Sequence, residues 1–332
     1  MNTHSALVPA TGPALLDPLA KIARRNGFTV ERDGNAMVIN APLGRVAFDP
    51  SGTSTRLTLT ANTPAELQLL TDLYAGRLTD LALEQPVAWD APKASMPLNQ
   101  IIATVIGVLP LSPNFARLRL SGDFSTFTKP DTGLHFRLLL HPDRPGWPTL
   151  DAGGLTQWPG GVGTWHRPPY TVRRISAEGT WIDVDIVLHT GGRVTNWSDV
   201  VAPGDEVALH GPSGSKQPTA SWLGLLGDET ALPVILRIIE DAPAGTKGRA
   251  VVAVRHPDDA QAITTQADIP ITWVDMADES LLIQALDTLD IPETDRHILF
   301  AAERAQANIT RDILRDRGLS GAEAKAASYW TK

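Results

Sequence analysis

Between Arg167 and Arg173 the chain reads Arg-Pro-Pro-Tyr-Thr-Val-Arg. Two guanidinium groups, a phenol ring and a hydroxyl thus stand on one short segment. Its prolines deny it a helix and keep it extended. Beyond them Thr171, Val172 and Ile175 are β-branched, which suits a strand. Alternate side chains of a strand share a face, so Thr171 and Arg173 are expected on one side and Val172 on the other. A cation grips phosphate, an aromatic plane stacks on a ring, and a hydroxyl hydrogen-bonds a heteroatom. Together they describe a flavin dinucleotide site. The same residues also suit an ordinary solvated strand face, and the motifs downstream decide between the two.

Composition narrows the chemistry. There is no cysteine among the 332 residues, which excludes disulfides, thiolate-held iron–sulfur clusters and a thiol nucleophile. The eight histidines are scattered without ligand spacing, so no resident metal is expected. Redox chemistry must then come from a borrowed organic cofactor or from a metal brought in with the substrate. The formal charge of -8 gives no footprint for nucleic acid. The first thirty residues lack a basic start followed by an apolar run, so no signal peptide is expected. No apolar run is long enough for a membrane span. A cytoplasmic, monomeric protein is the expectation.

The elements that must position the segment follow from periodicity. Residues 1–13 read as a loose arm. A helix is expected over 15–25, with Leu15, Leu16, Leu19, Ile22 and Ala23 on its apolar face and Gly27 as its stop. Strands are expected at 29–32, 36–40, 45–49 and 56–61, with a hairpin turn at Asp33-Gly34. Thr63-Pro-Ala-Glu66 is a capping box opening a helix whose apolar face carries Leu67, Leu70, Leu73 and Tyr74. Residues 1–92 therefore form a small α+β domain, and 91–97 a linker. Residues 98–216 carry about six short strands with Gly/Pro turns, which suggests a closed antiparallel β-barrel. A long Pro-, Gly- and Trp-rich loop at 142–163 interrupts them. Residues 217–332 alternate strands (222–226, 249–255, 271–276, 297–301) with helices, one of them over 229–241. That pattern implies a parallel sheet covered on both faces, which binds nucleotides at the carboxyl ends of its strands.

Further motifs stand in a fixed order. They are Trp181 to His189, Thr190-Gly-Gly-Arg-Val-Thr-Asn-Trp197, Ala202-Pro-Gly-Asp205, His210-Gly-Pro-Ser-Gly214, Gly227-Asp-Glu-Thr-Ala-Leu-Pro233 and the terminal Ser328-Tyr-Trp-Thr-Lys332. In that order and spacing, residues 100–332 resemble the siderophore-interacting proteins, flavin-dependent ferric-siderophore reductases related to ferredoxin–NADP reductases. The first ninety residues, ending in Val87-Ala-Trp89, are similar to a small family of unsettled function that accompanies them. They show nothing catalytic, and a structural or partner-binding role is expected of them.

The resemblance assigns roles. Arg167 would grip the pyrophosphate of FAD, Tyr170 would stack on the isoalloxazine, and the Thr171 hydroxyl would reach its reactive edge. Two prolines separate Arg167 from Tyr170 where the family usually has one residue. Val172 belongs to the same segment, and Arg173 is a further anchor. Asp185 and Val187 lie on the strand that follows. His189, Gly192, Thr195, Asn196 and Trp197 correspond to the stretch that wraps the flavin's phosphates and adenine. His189 alone reads equally as a strand-end histidine. Gly227, Asp228, Glu229 and Thr230 would face NADPH or NADH, although alone they read as a helix cap. Arg304 is either a nucleotide contact or a surface arginine.

The acceptor side departs from the family pattern. Ser213 and Thr331 stand where basic residues are frequent. Arg137 matches a basic position, and Lys216 and Lys332 lie near the lost ones, so these three are the candidate contacts for a ferric siderophore. The reading is an enzyme passing electrons from NAD(P)H through FAD to siderophore-bound Fe(III). The alternatives are a protein or quinone acceptor, or a flavin- or siderophore-binding protein with a vestigial nucleotide half.

Overall fold

The computed structural model describes every residue except Lys93, of the expected linker, Arg144, of the expected long loop, and Ser320. The chain divides into two compact units. Residues 1–101, 139–167 and 208–211 form the first, and 102–138, 168–207 and 212–332 the second.

The first unit is built on a six-stranded sheet. Its elements are β1 (Asn2–Val8), α1 (Pro13–Arg25), β2 (Thr29–Asp33), β3 (Ala36–Ala41), β4 (Gly44–Ser51), β5 (Ser54–Ala61), α2 (Pro64–Asp80) and β6 (Ala88–Trp89). The sheet order is β2-β3-β4-β5-β1-β6. The expected loose arm is instead strand β1, antiparallel to β5 from Asn2↔Ala61 to Val8↔Thr55. Ala6 and Val8 alternate into the core with no exposure, and that burial holds the strand down. Leu15, Leu19, Phe48, Leu57, Leu59, Leu70 and Tyr74 complete the core. Leu73 is exposed, because it lies about 120° round the helix from Leu67. Ile22 is likewise at the margin of the α1 stripe and exposed. The capping box forms: the Glu66 amide donates to Thr63 Oγ1 at 3.1 Å, and the Thr63 amide donates to Glu66 Oε2 at 3.0 Å.

The long loop is not structureless. Short strands β10 (Thr149–Leu150) and β11 (Thr156–Gln157) pair within it, after β7 (Gln100–Ser112), β8 (Phe115–Ser121) and β9 (His135–Leu139) have been laid down. Thr156 donates from its amide and hydroxyl to Asp72 of α2, at 3.1 and 2.7 Å. Gln68, also of α2, donates to the Gly154 carbonyl at 3.2 Å.

In the second unit the chain continues through β12 (Pro169–Thr171), β13 (Arg174–Ile175), β14 (Trp181–Val187), α3 (Arg193–Ser198) and β15 (Glu206–Ser213). The seven-stranded sheet has the order β12-β9-β15-β7-β8-β14-β13. The expected closed barrel is corrected: among the described residues no ladder joins β12 to β13. The reason lies in the backbone at Val172 and Arg173. Instead of one strand over 167–175, the segment pairs with β9 on one sheet edge and with β14 on the other. The Val172 amide donates to the Leu134 carbonyl and the Arg173 amide to the Asp183 carbonyl, at 2.9 and 2.8 Å. The break also cancels the expected alternation, since Thr171, Val172 and Arg173 are all buried. On β14, Ile182, Val184 and Ile186 are buried, whereas Leu188 lies beyond the strand and is half-buried.

The remaining elements are β16 (Trp222–Asp228), α4 (Leu232–Asp241), β17 (Lys247–Val254), β18 (Ile271–Asp275), α5 (Leu281–Asp287), β19 (Arg296–Glu303), α6 (Arg304–Asp316) and β20 (Ala324–Trp330). Their strands form a parallel sheet in the order β18-β17-β16-β19-β20. Leu232, Ile235 and Ile239 of α4 pack on one face with Leu225 and Val252. Leu286 of α5 and Leu314 of α6 pack on the other with Leu226 and Phe300. Helix α4 starts later than expected, at Leu232. Asp228 Oδ1 accepts from the amide and hydroxyl of Thr230, and its carbonyl accepts from the Ala231 amide, so 228–231 form a turn first. Strand β20 was not expected, because Ala-Lys-Ala-Ala-Ser carries no β-branched residue.

The capping box gives a stability test. Thr63→Ala removes the acceptor of the Glu66 amide and is expected to lower the stability of the first unit by about 1 kcal/mol. Urea unfolding followed by far-UV circular dichroism measures it, and an unchanged midpoint would mean that the box contributes nothing.

Candidate functional site

A cavity of about 800 Å3 lies wholly within the second unit. One wall comes from β12 and β9, through Tyr170, Thr171, His135 and Arg137. The opposite wall comes from the carboxyl ends of the parallel strands: the turn Glu229-Thr230, Arg255, Met276, and Ser328 to Thr331 at the end of β20. The turn Ser213-Gly214-Ser215 closes one side, with Asp185, Val187 and His189 on β14 and just beyond it.

Local packing explains why these groups stay put. Tyr170 pairs with Phe136 across the ladder, and their rings lie 6.4 Å apart at 30°. Burial pushes its phenol well above the ordinary range. Asp185 and Asp183 are buried on β14, but each carboxylate receives a bidentate arginine, Arg117 at 2.7 and 2.9 Å and Arg119 at the same distances. Glu229 receives Arg255 Nε at 2.8 Å, and the same guanidinium donates to the Leu188 carbonyl. Burial raises the Glu229 carboxyl, and the arginine opposes that. Thus both acidic side chains that line the cavity are neutralised, while Arg137 and Lys325 add positive charge to its wall.

The end of β20 is pinned at two points. Trp330 Nε1 donates to Asp228 Oδ2 at 2.6 Å, and burial raises that carboxyl. The Tyr329 hydroxyl meets His135 Nε2 at 3.0 Å. Burial, with the charges of Lys325 and Arg237, drives His135 down to about 4, so its ring is neutral at pH 7. Its Nδ1 is buried without a partner and faces Gly214, where an added Cβ would lie 2.8 Å from it. Only glycine fits at 214, which also has a positive φ of 78°.

Not all predicted residues meet here. Tyr170, Thr171, Asp185, Val187, His189, Glu229, Thr230 and Arg137 line the cavity. Val172 is buried with its carbonyl accepting from Arg237 Nη1 at 2.6 Å. Arg173 points into the protein and gives both terminal nitrogens to Glu240, at 2.5 and 3.1 Å, which uses the donors expected for phosphate. Gly192, Thr195, Asn196 and Trp197 form the turn and short helix α3 behind His189, whose amide donates to Thr195 Oγ1 at 3.2 Å. A Cβ on Gly192 would come within 2.8 Å of both His189 and Thr195. Gly227 is needed where β16 meets Ala301 and Ala231, and Asp228 is spent on Trp330 and Thr230. Lys332 is paired with Glu279, Lys216 is exposed beyond the cavity lining, and Arg304 is an exposed first residue of α6. Arg167 belongs to the first unit, where its guanidinium lies 4.8 Å from the centre of the Trp158 ring. Sequence reasoning missed His135, Arg255, Lys325 and Met276. Lys325 had a signal in its place four residues before Tyr329, but without β20 nothing aimed it at the cavity.

The residues present fit a flavin dinucleotide. The cavity offers an aromatic plane, a threonine, a glycine turn and a wall on which every lining carboxylate has its own arginine. Among the described residues no cluster of three or more histidines or carboxylates is arranged to hold a metal.

An antiparallel sheet carrying Tyr170 and Thr171, followed by a parallel sheet whose strand ends complete the cavity, defines a two-part redox fold. Comparison with known families gives the same division. Residues 104–216 match the siderophore-interacting FAD-binding domain, and 220–332 match the siderophore-interacting protein family. The chain belongs to the siderophore-interacting protein family. It is 27% identical to the ferric vibriobactin reductase of Vibrio cholerae over 67% of this chain and 86% of that one. It is 27% identical to the NADPH-dependent ferric-chelate reductase of Escherichia coli over 68% and 91%. The crystal structure of a siderophore utilization protein from T. fusca superposes with a TM-score of 0.62 at 25% identity, covering 72% of this chain and 95% of that one.

Neutral His135 generates a pH test. Its folded pKa of about 4 lies below the ordinary 6.5, so it contributes stability above 6.5 that is lost as pH falls towards 4. The full effect is on the order of 3 kcal/mol. Urea unfolding between pH 7.5 and 4 is expected to show a smaller loss in His135→Gln than in the wild type. Equal slopes would remove His135 from the account.

Proposed function

We propose that this protein is an FAD-containing, NADPH-dependent ferric-siderophore reductase. The observation that carries the reading is the joint cavity: the strand bearing Tyr170 and Thr171 faces the carboxyl ends of a parallel sheet, with all its lining carboxylates paired. Bound FAD would supply hydride acceptance from NADPH and, in two single-electron transfers, reduction of two equivalents of siderophore-held Fe(III). Tyr170 supplies the stacking plane and Thr171 a hydroxyl at the flavin's edge. Gly192, Thr195, Asn196 and Trp197 serve the dinucleotide's phosphates and adenine, and His189 stands where that stretch meets the cavity. Glu229 and Thr230 face the nicotinamide nucleotide, held in place by Arg255. Gly227, Asp228, Val172 and Arg173 act from behind, by fixing the backbone that presents these groups. Arg137 and Lys325 face the anionic chelate, whose iron is released because Fe(II) is a weaker guest of hard oxygen ligands.

This reading keeps the division 1–92, 98–216 and 217–332, with the first part a structural or partner-binding module and the whole a cytoplasmic monomer. Among the described residues no helix is long and apolar enough to cross a membrane.

The test is direct. The purified protein is expected to be yellow with FAD, to bleach with NADPH and to recover colour on adding a ferric chelate; a colourless protein that takes up no FAD would sink the reading. Tyr170→Ala should weaken FAD binding by about 1–2 kcal/mol through lost stacking and area. Thr171→Val should leave binding nearly intact and slow bleaching, and an equal loss of binding in both variants would contradict these roles.

Charge decides the acceptor. With Ser213 and Thr331 at positions that the family often makes basic, and -8 overall, only a few local cations hold an anionic chelate. Their steering is screened within about 10 Å at 0.1 M salt. Low-charge hydroxamate or citrate-like ferric chelates are therefore expected to be reduced faster than a triply negative catecholate. Arg137→Ala and Lys325→Ala should raise KM for anionic chelates without changing bleaching by NADPH, and Ser213→Arg should favour the catecholate. Steady-state rates at two salt concentrations decide it: a variant that changes neither chelate removes that residue from the site.

A further inference from the structure

The segment that carries Tyr170 and Thr171 is not held by its own sheet alone. Helix α4, which packs on the parallel sheet, reaches it twice. Arg237 Nη1 donates to the Val172 carbonyl, and Glu240 receives both terminal nitrogens of Arg173. The Arg173 side chain has no exposure, and its Nε lies 3.8 Å from Asp185 Oδ2 without a hydrogen bond. Asp185 lines the cavity. The same helix begins just after Glu229 and Thr230, which line the cavity from the other side.

We propose that Arg237 and Glu240 are positioning residues for the flavin site. Arg237 acts through the Val172 carbonyl and Glu240 through Arg173, and together they set where Tyr170 and Thr171 stand. The inference rests on the flavin reading above and deepens it. The Val172 carbonyl is one residue from Thr171, so the hydrogen bond from Arg237 fixes the backbone that aims the threonine hydroxyl. Glu240 has a second effect through charge. It compensates a guanidinium that is fully buried, within 3.8 Å of a cavity-lining carboxylate. Neutralising it leaves a positive field next to the cavity, and a positive field favours the electron-richer state of a group held there. The pair is therefore coupled both to geometry and to the ease of flavin reduction. A pair that merely joined helix to sheet would affect stability and nothing else.

The full-length protein with FAD is used for the test. Its readouts are FAD affinity of the apo-protein, the visible absorption spectrum, the midpoint potential by dye equilibration, and thermal unfolding. Glu240→Gln should raise the midpoint potential and shift the flavin band, while Glu240→Asp should stay near the wild type. The double variant Arg173→Met with Glu240→Leu removes both charges together, which a fold usually tolerates. It should keep the wild-type melting temperature within a few degrees, weaken FAD about tenfold and slow bleaching by NADPH. Arg237→Met should weaken FAD similarly without raising the potential. Folded variants with wild-type spectrum, potential and FAD affinity would overturn the positioning role alone. A wild type that takes up no FAD would overturn the flavoprotein reading, and this inference with it.

Discussion

Where the backbone turns between Thr171 and Arg174 decides most of what the cavity contains. A strand can pair with only one neighbour on each side, and here four residues move the chain from β9 to β14. The corner makes Thr171, Val172 and Arg173 all face inward, which a regular strand forbids. Their polar atoms must then be satisfied inside the protein. The Leu134 and Asp183 carbonyls take the amides, Arg237 takes a carbonyl and Glu240 takes a guanidinium. The partners come from the residue before β9, from β14 and, for both side-chain contacts, from α4, so one corner recruits two strands of its own sheet and a helix that packs on the other.

The charge pattern follows from the same need. Asp183 and Asp185 occupy alternate positions of β14, opposite Arg119 and Arg117 on β8. Buried carboxylates are costly unless each has a geometrically good partner, and bidentate arginines meet that condition. A ladder of paired charges gains little stability over an apolar one. It leaves no uncompensated negative charge on the cavity wall, which suits a cofactor that brings its own phosphates.

Much of this was legible in the residues. Tyr170, Thr171 and the Glu229-Thr230 turn follow from motif order, because each sits at a strand end where sequence punctuation is strong. The capping box at Thr63 was visible because it is local. What the sequence hid depends on contacts far apart in the chain. The loose-arm reading of residues 1–13 failed because two small apolar side chains, Ala6 and Val8, carry the burial of β1. Arg173 reads as a further anchor for the flavin from its place in the motif; its partner Glu240 is 67 residues away. Strand β20 lacks β-branched residues, and without it His135 and Lys325 had no neighbour to give them meaning. Barrel closure also could not be read from strand count, since it depends on whether the first and last strands share a ladder.

The tether between α2 and the Trp-rich loop bears on how the chain finds its structure. Thr156 meets Asp72 across 84 positions, and Gln68 meets Gly154 across 86. In between, the chain builds three strands of the other unit. The first unit therefore is not finished when its own sheet is finished. It is completed by a segment far along the chain, with the loop-closure entropy that such a distance entails. High sequence separation slows folding, and these two contacts belong to that non-local set. Cutting the chain near residue 98 would accordingly give a sheet that folds with one side of α2 bare, and a loop whose hydroxyls and amides have lost their acceptors.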